Sequence, residues 1–362
     1  MFGTVVVGPP GSGKSTMCAG LARYLELMKR PCAVVNLDPA CEAEPLTPFT
    51  IDVRNLCRVD DVMRTQGLGA NGSLMYCVAT MRESPWLVDR LRGLGTDEFP
   101  YVVFDLPGQV ELWTHSDDLR QILTSIVDEF DARLVVAHVV DANHCTRPTS
   151  FVAAALISLM AMLRLELPHV NVLSKIDQLP SFKDSMPFNL DFFADARQLD
   201  RLVPYCDATT NNVPALGELE VPKDDDRDED VEDAPKLTGL QRLSAKICDL
   251  VDDFNLVCFQ PLDISDGHSV ATLVRLLDKA NGHPAGVYAP AHLIADATTL
   301  FLAPETPPAE AAPKLATALG NRQFRTHAAA AAVDDSPAPH HQQQLAEEQP
   351  PPPFSWYRRP PR

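Results

Sequence analysis

The segment Gly8-Pro9-Pro10-Gly11-Ser12-Gly13-Lys14-Ser15-Thr16 fits the pattern G-x-x-x-x-G-K-[ST], whose glycines let the backbone wrap a phosphate. Backbone amides and the start of the following helix supply positive potential there. In that reading Gly8, Gly11, Ser12 and Gly13 form the cradle and Lys14 reaches the β- and γ-phosphates. Ser15 ligates Mg²⁺ and Thr16 meets the α-phosphate. A dinucleotide fingerprint does not fit, because the glycine spacing ends in Thr16 rather than Gly or Ala.

Three further segments carry chemistry. Tyr101–Asp105 is an apolar run that ends in Asp105-Leu106-Pro107-Gly108-Gln109. A carboxylate at such a strand end can hold Mg²⁺ through Asp105, while the Gly108 amide senses a γ-phosphate and Gln109 orients water. By itself Asp-Leu-Pro-Gly would be an ordinary turn; the preceding phosphate loop gives it a role. Asn36-Leu37-Asp38-Pro39-Ala40 brings Asp38 to the same edge, either facing a γ-phosphate or an attacking water, or simply opening a helix. Ser174-Lys175-Ile176-Asp177 follows the apolar run Val170–Leu173 and is similar to the guanine-reading pattern N-K-x-D. A carboxylate at Asp177 can accept from guanine N1 and N2, with the stem of Lys175 over the base. The serine at 174 departs from that pattern, so these residues favour guanine while leaving adenine open.

Such loops need parallel strands to hold them. Apolar runs at Thr4–Val7, Ala33–Leu37, Tyr101–Phe104, Leu134–Val140, Val170–Leu173 and Leu256–Phe259 are nearly continuous, as strands buried on both faces require. Helical patterns lie between them near 14–29, 73–92, 117–128, 149–165 and 237–252. The alternation predicts an α/β fold with a doubly wound, mostly parallel sheet of P-loop NTPase type. It spans residues 1–285 with an acidic loop at 223–236, a C-terminal extension at 286–302, and a tail from 303 to 362. That tail, with 12 prolines and an alanine run, is expected to be disordered.

Together Gly8–Thr16, Asn36–Ala40, Asp105–Gln109 and Ser174–Asp177 resemble the GPN-loop GTPases, a SIMIBI-class family of P-loop proteins. The resemblance covers about residues 1–285, and Val140–Cys145 points within it to the second eukaryotic paralogue. It implies a GTPase with GTP and Mg²⁺ as cofactors. In that family Ser or Thr is usual at the position of Ser174, which moves the expectation firmly to guanine. Cys258-Phe259-Gln260-Pro261-Leu262 matches the recognition strand and would bring Pro261 near the guanine O6. The Gly-Pro-Asn loop corresponds to Gly69-Ala70-Asn71, so Ala70 replaces proline and should soften the loop by about 0.4–1 kcal/mol. Asn71 would reach a partner's phosphates across a homodimer, or a heterodimer with a related GPN-loop GTPase. The catalytic set implied is Lys14, Asp38, Asn71 and Gln109, and no arginine stands out as an intrinsic finger. The family also implies partnership with RNA polymerase II subunits during assembly or nuclear import.

Composition limits the alternatives. A formal net charge of −18, from 49 acidic and 31 basic residues, argues against a general nucleic-acid binder or an anionic membrane surface. The tail carries six of each sign, so the acidity belongs to the body. The longest apolar run, Phe151–Leu163, falls short of the roughly 20 residues of a membrane span. Nine cysteines, odd in number and without a C-x-x-C pair, suggest inert thiols in a reducing compartment. The expected location is cytoplasmic, with shuttling to the nucleus. An assembly or chaperone-like binding protein with little hydrolysis is the competing reading, and a nucleotide kinase a weaker third.

Overall fold

A computed structural model describes residues 1–41, 47–94, 101–206 and 238–284, without the side chains of 182–185. The acidic run 223–236, the boundaries at 285 and 303, and the tail lie outside the described residues.

Seven parallel strands form one sheet: β1 (Phe2–Val7), β2 (Cys32–Asn36), β3 (Ile51–Asp52), β4 (Tyr101–Asp105), β5 (Arg133–Asp141), β6 (His169–Ser174) and β7 (Phe259–Pro261). Their spatial order is β3-β2-β4-β1-β5-β6-β7. The helices are α1 (Lys14–Leu27), α2 (Val59–Gln66), α3 (Ala70–Glu83), α4 (Trp86–Gly93), α5 (Glu111–Thr114), α6 (Asp118–Phe130), α7 (Pro148–Leu165), α8 (Leu190–Asp195), α9 (Gly239–Phe254) and α10 (Gly267–Asn281). The predicted doubly wound α/β fold is therefore what the chain adopts.

The alternation within β1 shows how both sheet faces are covered. Val5 and Val7 pack on the side of α2, α3 and α6, whereas Val6 packs against Met17, Leu21 and Leu25 of α1 and Val270 and Leu273 of α10. All three valines are fully buried. A third cluster joins the far ends of β5, β6 and β7 to α7, α8 and α9. Strands β2 to β4 lie on one side of β1 and strands β5 to β7 on the other. The switch in direction falls beside β1, where open α/β sheets bind ligands at the strand C-termini.

Several elements differ from those expected. The single helix expected over 73–92 is two helices, because Ser84 is extended (φ −88°, ψ 136°) before Pro85. The last strand is Phe259–Pro261 rather than Leu256–Phe259; a proline is tolerated there because β7 is an edge strand. Strand β3 and helices α2, α5, α8 and α10 were not anticipated. Helix α7 extends the apolar run to 18 residues with mean hydropathy 1.6, long and apolar enough by length and composition to cross a membrane. In this fold Phe151, Val152, Ala155 and Leu159 are buried in the core, which accounts for that composition.

Candidate functional site

The turn after β1 has a backbone that side chains would oppose. Gly8 has φ +151°, and a Cβ there would lie 2.4 Å from the Val139 carbonyl oxygen of β5. Gly11 and Gly13 sit at φ +76° and +96°, in the left-handed region that favours glycine. Gly13 leads directly into α1, so Lys14, Ser15 and Thr16 form the helix's first turn. Ser15 and Thr16 are exposed, whereas Lys14 is buried and its Nζ donates to the Pro9 carbonyl at 3.1 Å. Burial lowers the Lys14 pKa, opposed by the neighbouring Asp105 and Asp38 carboxylates. The Ser12 hydroxyl is buried without a partner.

Asp105 closes β4 directly beside this loop, in register with Val6 of β1 and Asn36 of β2. It is 3% exposed, and its Oδ1 has no hydrogen-bond partner. Burial raises its pKa, while hydrogen bonding from Ser15 and the charge of Lys14 pull the other way. A Cβ on Gly108 would come within 2.8 Å of Lys14 Nζ and 3.2 Å of Pro10 Cα, so this turn lies against the phosphate loop. Ser15 and Asp105 thus present a hydroxyl and an unsatisfied carboxylate oxygen side by side. That donor set suits Mg²⁺, a hard cation usually held by one or two carboxylates and completed by water and substrate phosphates.

At the end of β2, Asp38 does not open a helix. Its backbone amide donates to Asn36 Oδ1 at 2.9 Å, and its Oδ1 accepts from the Ala40 amide at 2.9 Å. Asn36, itself fully buried, donates through Nδ2 to Asp52 Oδ1 at 2.9 Å. Arg54 then grips Asp52 with Nε at 2.9 Å and Nη2 at 2.6 Å on Oδ2. Burial raises the Asp38 pKa, opposed by the Ala40 amide, Lys14 and Arg54. Asn36, Asp52 and Arg54 form a brace that fixes the loop carrying Asp38.

Asn71 lies in the first turn of α3, just after Gly69. Gln109 Nε2 donates to Asn71 Oδ1 at 3.0 Å, so two residues expected to act from opposite sides of a dimer meet within one chain. They line a cavity of about 260 Å³ shared with Met75, Glu111, Leu112 and His115.

The far end of the site is tied to the phosphate loop by short bonds. Ser174 Oγ donates to the Ser12 carbonyl at 2.6 Å, and a contact with the Val140 carbonyl lies at 3.1 Å. Lys175, at φ +61°, places Nζ 2.6 Å from the Gly11 carbonyl and 2.7 Å from Asp141 Oδ2. Its stem therefore runs across the loop, with Cε 3.9 Å from where a Gly13 Cβ would be. Asp177 follows as an exposed carboxylate. Pro261 pairs with Leu173 across β6 and β7, and the Leu262 amide donates to the Leu173 carbonyl at 2.8 Å.

Residues 6–283 match a family model described as a conserved hypothetical ATP binding protein. GPN-loop GTPase QQT1 of Arabidopsis thaliana is 38% identical over 284 residues, covering 78% of this chain and 86% of that protein. GPN-loop GTPase 2 of Saccharomyces cerevisiae is 37% identical over 286 residues, covering 79% and 76%. The chain belongs to the GPN-loop GTPase family. A crystal structure of a GTPase in apo form from Pyrococcus abyssi shares its fold, with TM-score 0.56 at 20% identity over 77% of this chain and 97% of that one.

In this GPN-loop GTPase, Asp38, Asp105, Gly108, Gln109, Ser174, Lys175, Asp177 and Pro261 lie at the C-terminal edge of the sheet or in the segments that follow it, Gly8 to Thr16 in the turn and helix start after β1, and Asn71 in the first turn of α3. Asn36, Asp52, Arg54 and Asp141 were not anticipated. Asp52 ends a two-residue strand and Arg54 follows it, with no motif around them, and Asp141 ends a long apolar run. The one signal available was charge: each carboxylate stands at the end of an apolar stretch.

Proposed function

We propose that this GPN-loop GTPase binds GTP with Mg²⁺ and hydrolyses it to GDP and phosphate. The observation that carries the reading is the meeting of Lys14, Asp38, Gly108 and the unpartnered Asp105 oxygen around one glycine turn. Lys14 and the amides of Gly11 to Ser15 would neutralise charge on the phosphates, which is most of what phosphoryl transfer asks of a protein. A bound Mg²⁺, held by Ser15 and Asp105, would supply further positive charge to the phosphate oxygens. Asp38, kept in place by the Asn36 brace, would accept a hydrogen bond from the attacking water, and Gln109 would orient that water. The Gly108 amide would report whether the γ-phosphate is present.

Guanine selection rests on Asp177, Lys175 and the strand around Pro261. The Ser174 and Lys175 contacts to the Ser12 and Gly11 carbonyls keep the base end fixed relative to the phosphate end. Turnover in an isolated chain should be slow, because the Gln109 amide is engaged by Asn71. A homodimer or a heterodimer with a related GPN-loop GTPase would move Asn71 toward the partner's phosphates and free Gln109. A role in assembly or nuclear import of RNA polymerase II, with cytoplasmic residence and nuclear shuttling, is supported by the family resemblance alone. The Asn71–Gln109 contact also favours a second reading, in which nucleotide mainly shapes a binding surface and little is hydrolysed.

Competition binding of GTP against ATP tests the base assignment. Wild type should prefer GTP, and Asp177→Asn should weaken GTP while gaining xanthosine triphosphate. An unchanged preference in the variant would overturn it.

A further inference from the structure

Cys57 follows the short 3-10 turn after β3 and is half-buried; Cys77 is fully buried in α3. Their sulfurs lie 2.9 Å apart, although 20 residues separate them in sequence. The contact arises because the chain reverses between α2 and α3, with Gly67 at φ +64° ending α2. Elsewhere, Cys206 and Cys248 donate to backbone carbonyls of Leu202 and Leu199. Cys57 and Cys77 instead face one another. Hydrogen bonding from Cys77 lowers the Cys57 thiol pKa, and Cys77 itself is pushed up by Cys57 and by burial. Cys57 is thus the thiol that an oxidant can reach and Cys77 the enclosed one beside it, and access is one of the properties that govern cysteine oxidation.

We propose that Cys57 and Cys77 are a modification site that closes to a reversible disulfide on exposure to hydrogen peroxide. The Cys57 thiolate attacks the peroxide oxygen, the O–O bond breaks, and the departing hydroxide takes a proton to leave as water. Cys57 is then a sulfenic acid. The Cys77 sulfur attacks the Cys57 sulfur, the S–S bond forms, and the S–O bond breaks. Hydroxide leaves with the Cys77 proton as a second water. The two thiols have given up two electrons and the peroxide has gained them; a dithiol reverses the change. The sulfurs need only close from 2.9 Å to about 2.05 Å. The bond ties α3 to the segment that follows β3 and Arg54. It encloses α2 and the Gly69-Ala70-Asn71 turn, where proline is missing. The disulfide therefore restrains α3, whose first turn carries Asn71.

The test uses the full chain. Reduced protein is treated with a few equivalents of hydrogen peroxide, alkylated, digested without reductant and mapped by mass spectrometry, with its thermal midpoint measured in parallel. The expected result is a Cys57–Cys77 cross-linked peptide as the main disulfide, a raised midpoint, and loss of both on adding dithiothreitol. Cys57→Ser should show neither, with Cys77 still alkylated after denaturation. Cys57 accumulating as sulfinate without the cross-link, or disulfides among other cysteines predominating, would overturn the proposal. Wild-type mapping decides it even if a Cys77 variant fails to fold, and it reads the bond whether or not the chain hydrolyses GTP.

Discussion

A methyl group at position 8 would meet the Val139 carbonyl at 2.4 Å, whereas one at position 11 would meet nothing within 4 Å. Gly8→Ala therefore combines overpacking against backbone with an unfavourable φ, and should cost about 2–4 kcal/mol. Gly11→Ala carries only the φ penalty, about 1–2 kcal/mol. Urea unfolding of the two variants checks the order. Asp105 invites a sharper experiment. Burial raises its pKa, so its ionised form costs stability above the folded pKa, and the cost vanishes as pH falls toward the unfolded value. Asp105→Asn should hold or raise the nucleotide-free thermal midpoint at pH 7 while abolishing Mg²⁺-dependent retention of GTP. A lower midpoint together with normal retention would refute the metal assignment. The motif residues were legible because their chemistry fixes both type and spacing. Asn36 and Arg54 were not, since Asn36 holds Asp38 only through its backbone and Arg54 reaches it only through Asp52 of the neighbouring strand.

The segment between α1 and β2 is clamped to α10 by Arg30, whose Nη1 and Nη2 lie 2.6 and 2.9 Å from the two oxygens of Asp278. Asp278 is 1% exposed. Removing the guanidinium strands a buried carboxylate, so Arg30→Met should lower stability by about 3–5 kcal/mol, read as a shift in the denaturant midpoint. Two histidines, His138 fully buried and His169 half-buried, add a pH limit to the sheet. Burial lowers His138, at the centre of β5, to about 3 and His169, at the start of β6, to about 4. Both folded values lie below the unfolded one near 6.5. Their contribution is present above pH 6.5 and is lost as pH falls toward 4, with a slope approaching about 2.7 kcal/mol per pH unit for two protons. The thermal midpoint should fall steeply below pH 6, and His169→Gln should make that fall shallower. An equal slope in the variant would contradict it. The strand runs could be read because buried parallel strands are continuously apolar. Helix α10 was missed although Val270, Leu273, Val274 and Leu277 repeat at helical spacing; its start is set by the Asp266 side chain, which accepts from His268 and Ser269. Strand β3, two residues long, offers no period to detect.

Among the described residues, parallel strands bring the phosphate loop, Asp38, Asp105, Ser174 to Asp177 and Pro261 to one sheet edge, because every strand points the same way, while Asn71 comes from α3. The sequence already implied this, since parallel runs joined by helices admit few other arrangements. What it could not show is the internal Asn71–Gln109 pairing, which depends on how α3 meets the turn after β4. Under the proposal, that pairing keeps the isolated chain slow and a dimer relieves it. Specific GTPase activity should therefore rise with protein concentration.

The most direct measurement is phosphate release from GTP by the purified protein, followed over a range of protein concentrations alongside Gln109→Ala. Our account predicts Mg²⁺-dependent, GTP-selective release whose specific rate increases with concentration. It predicts a fall of about 10²-fold in the variant, the scale of losing one transition-state contact, with GTP binding retained. Equal rates for wild type and variant, or release from ATP as fast as from GTP, would contradict it.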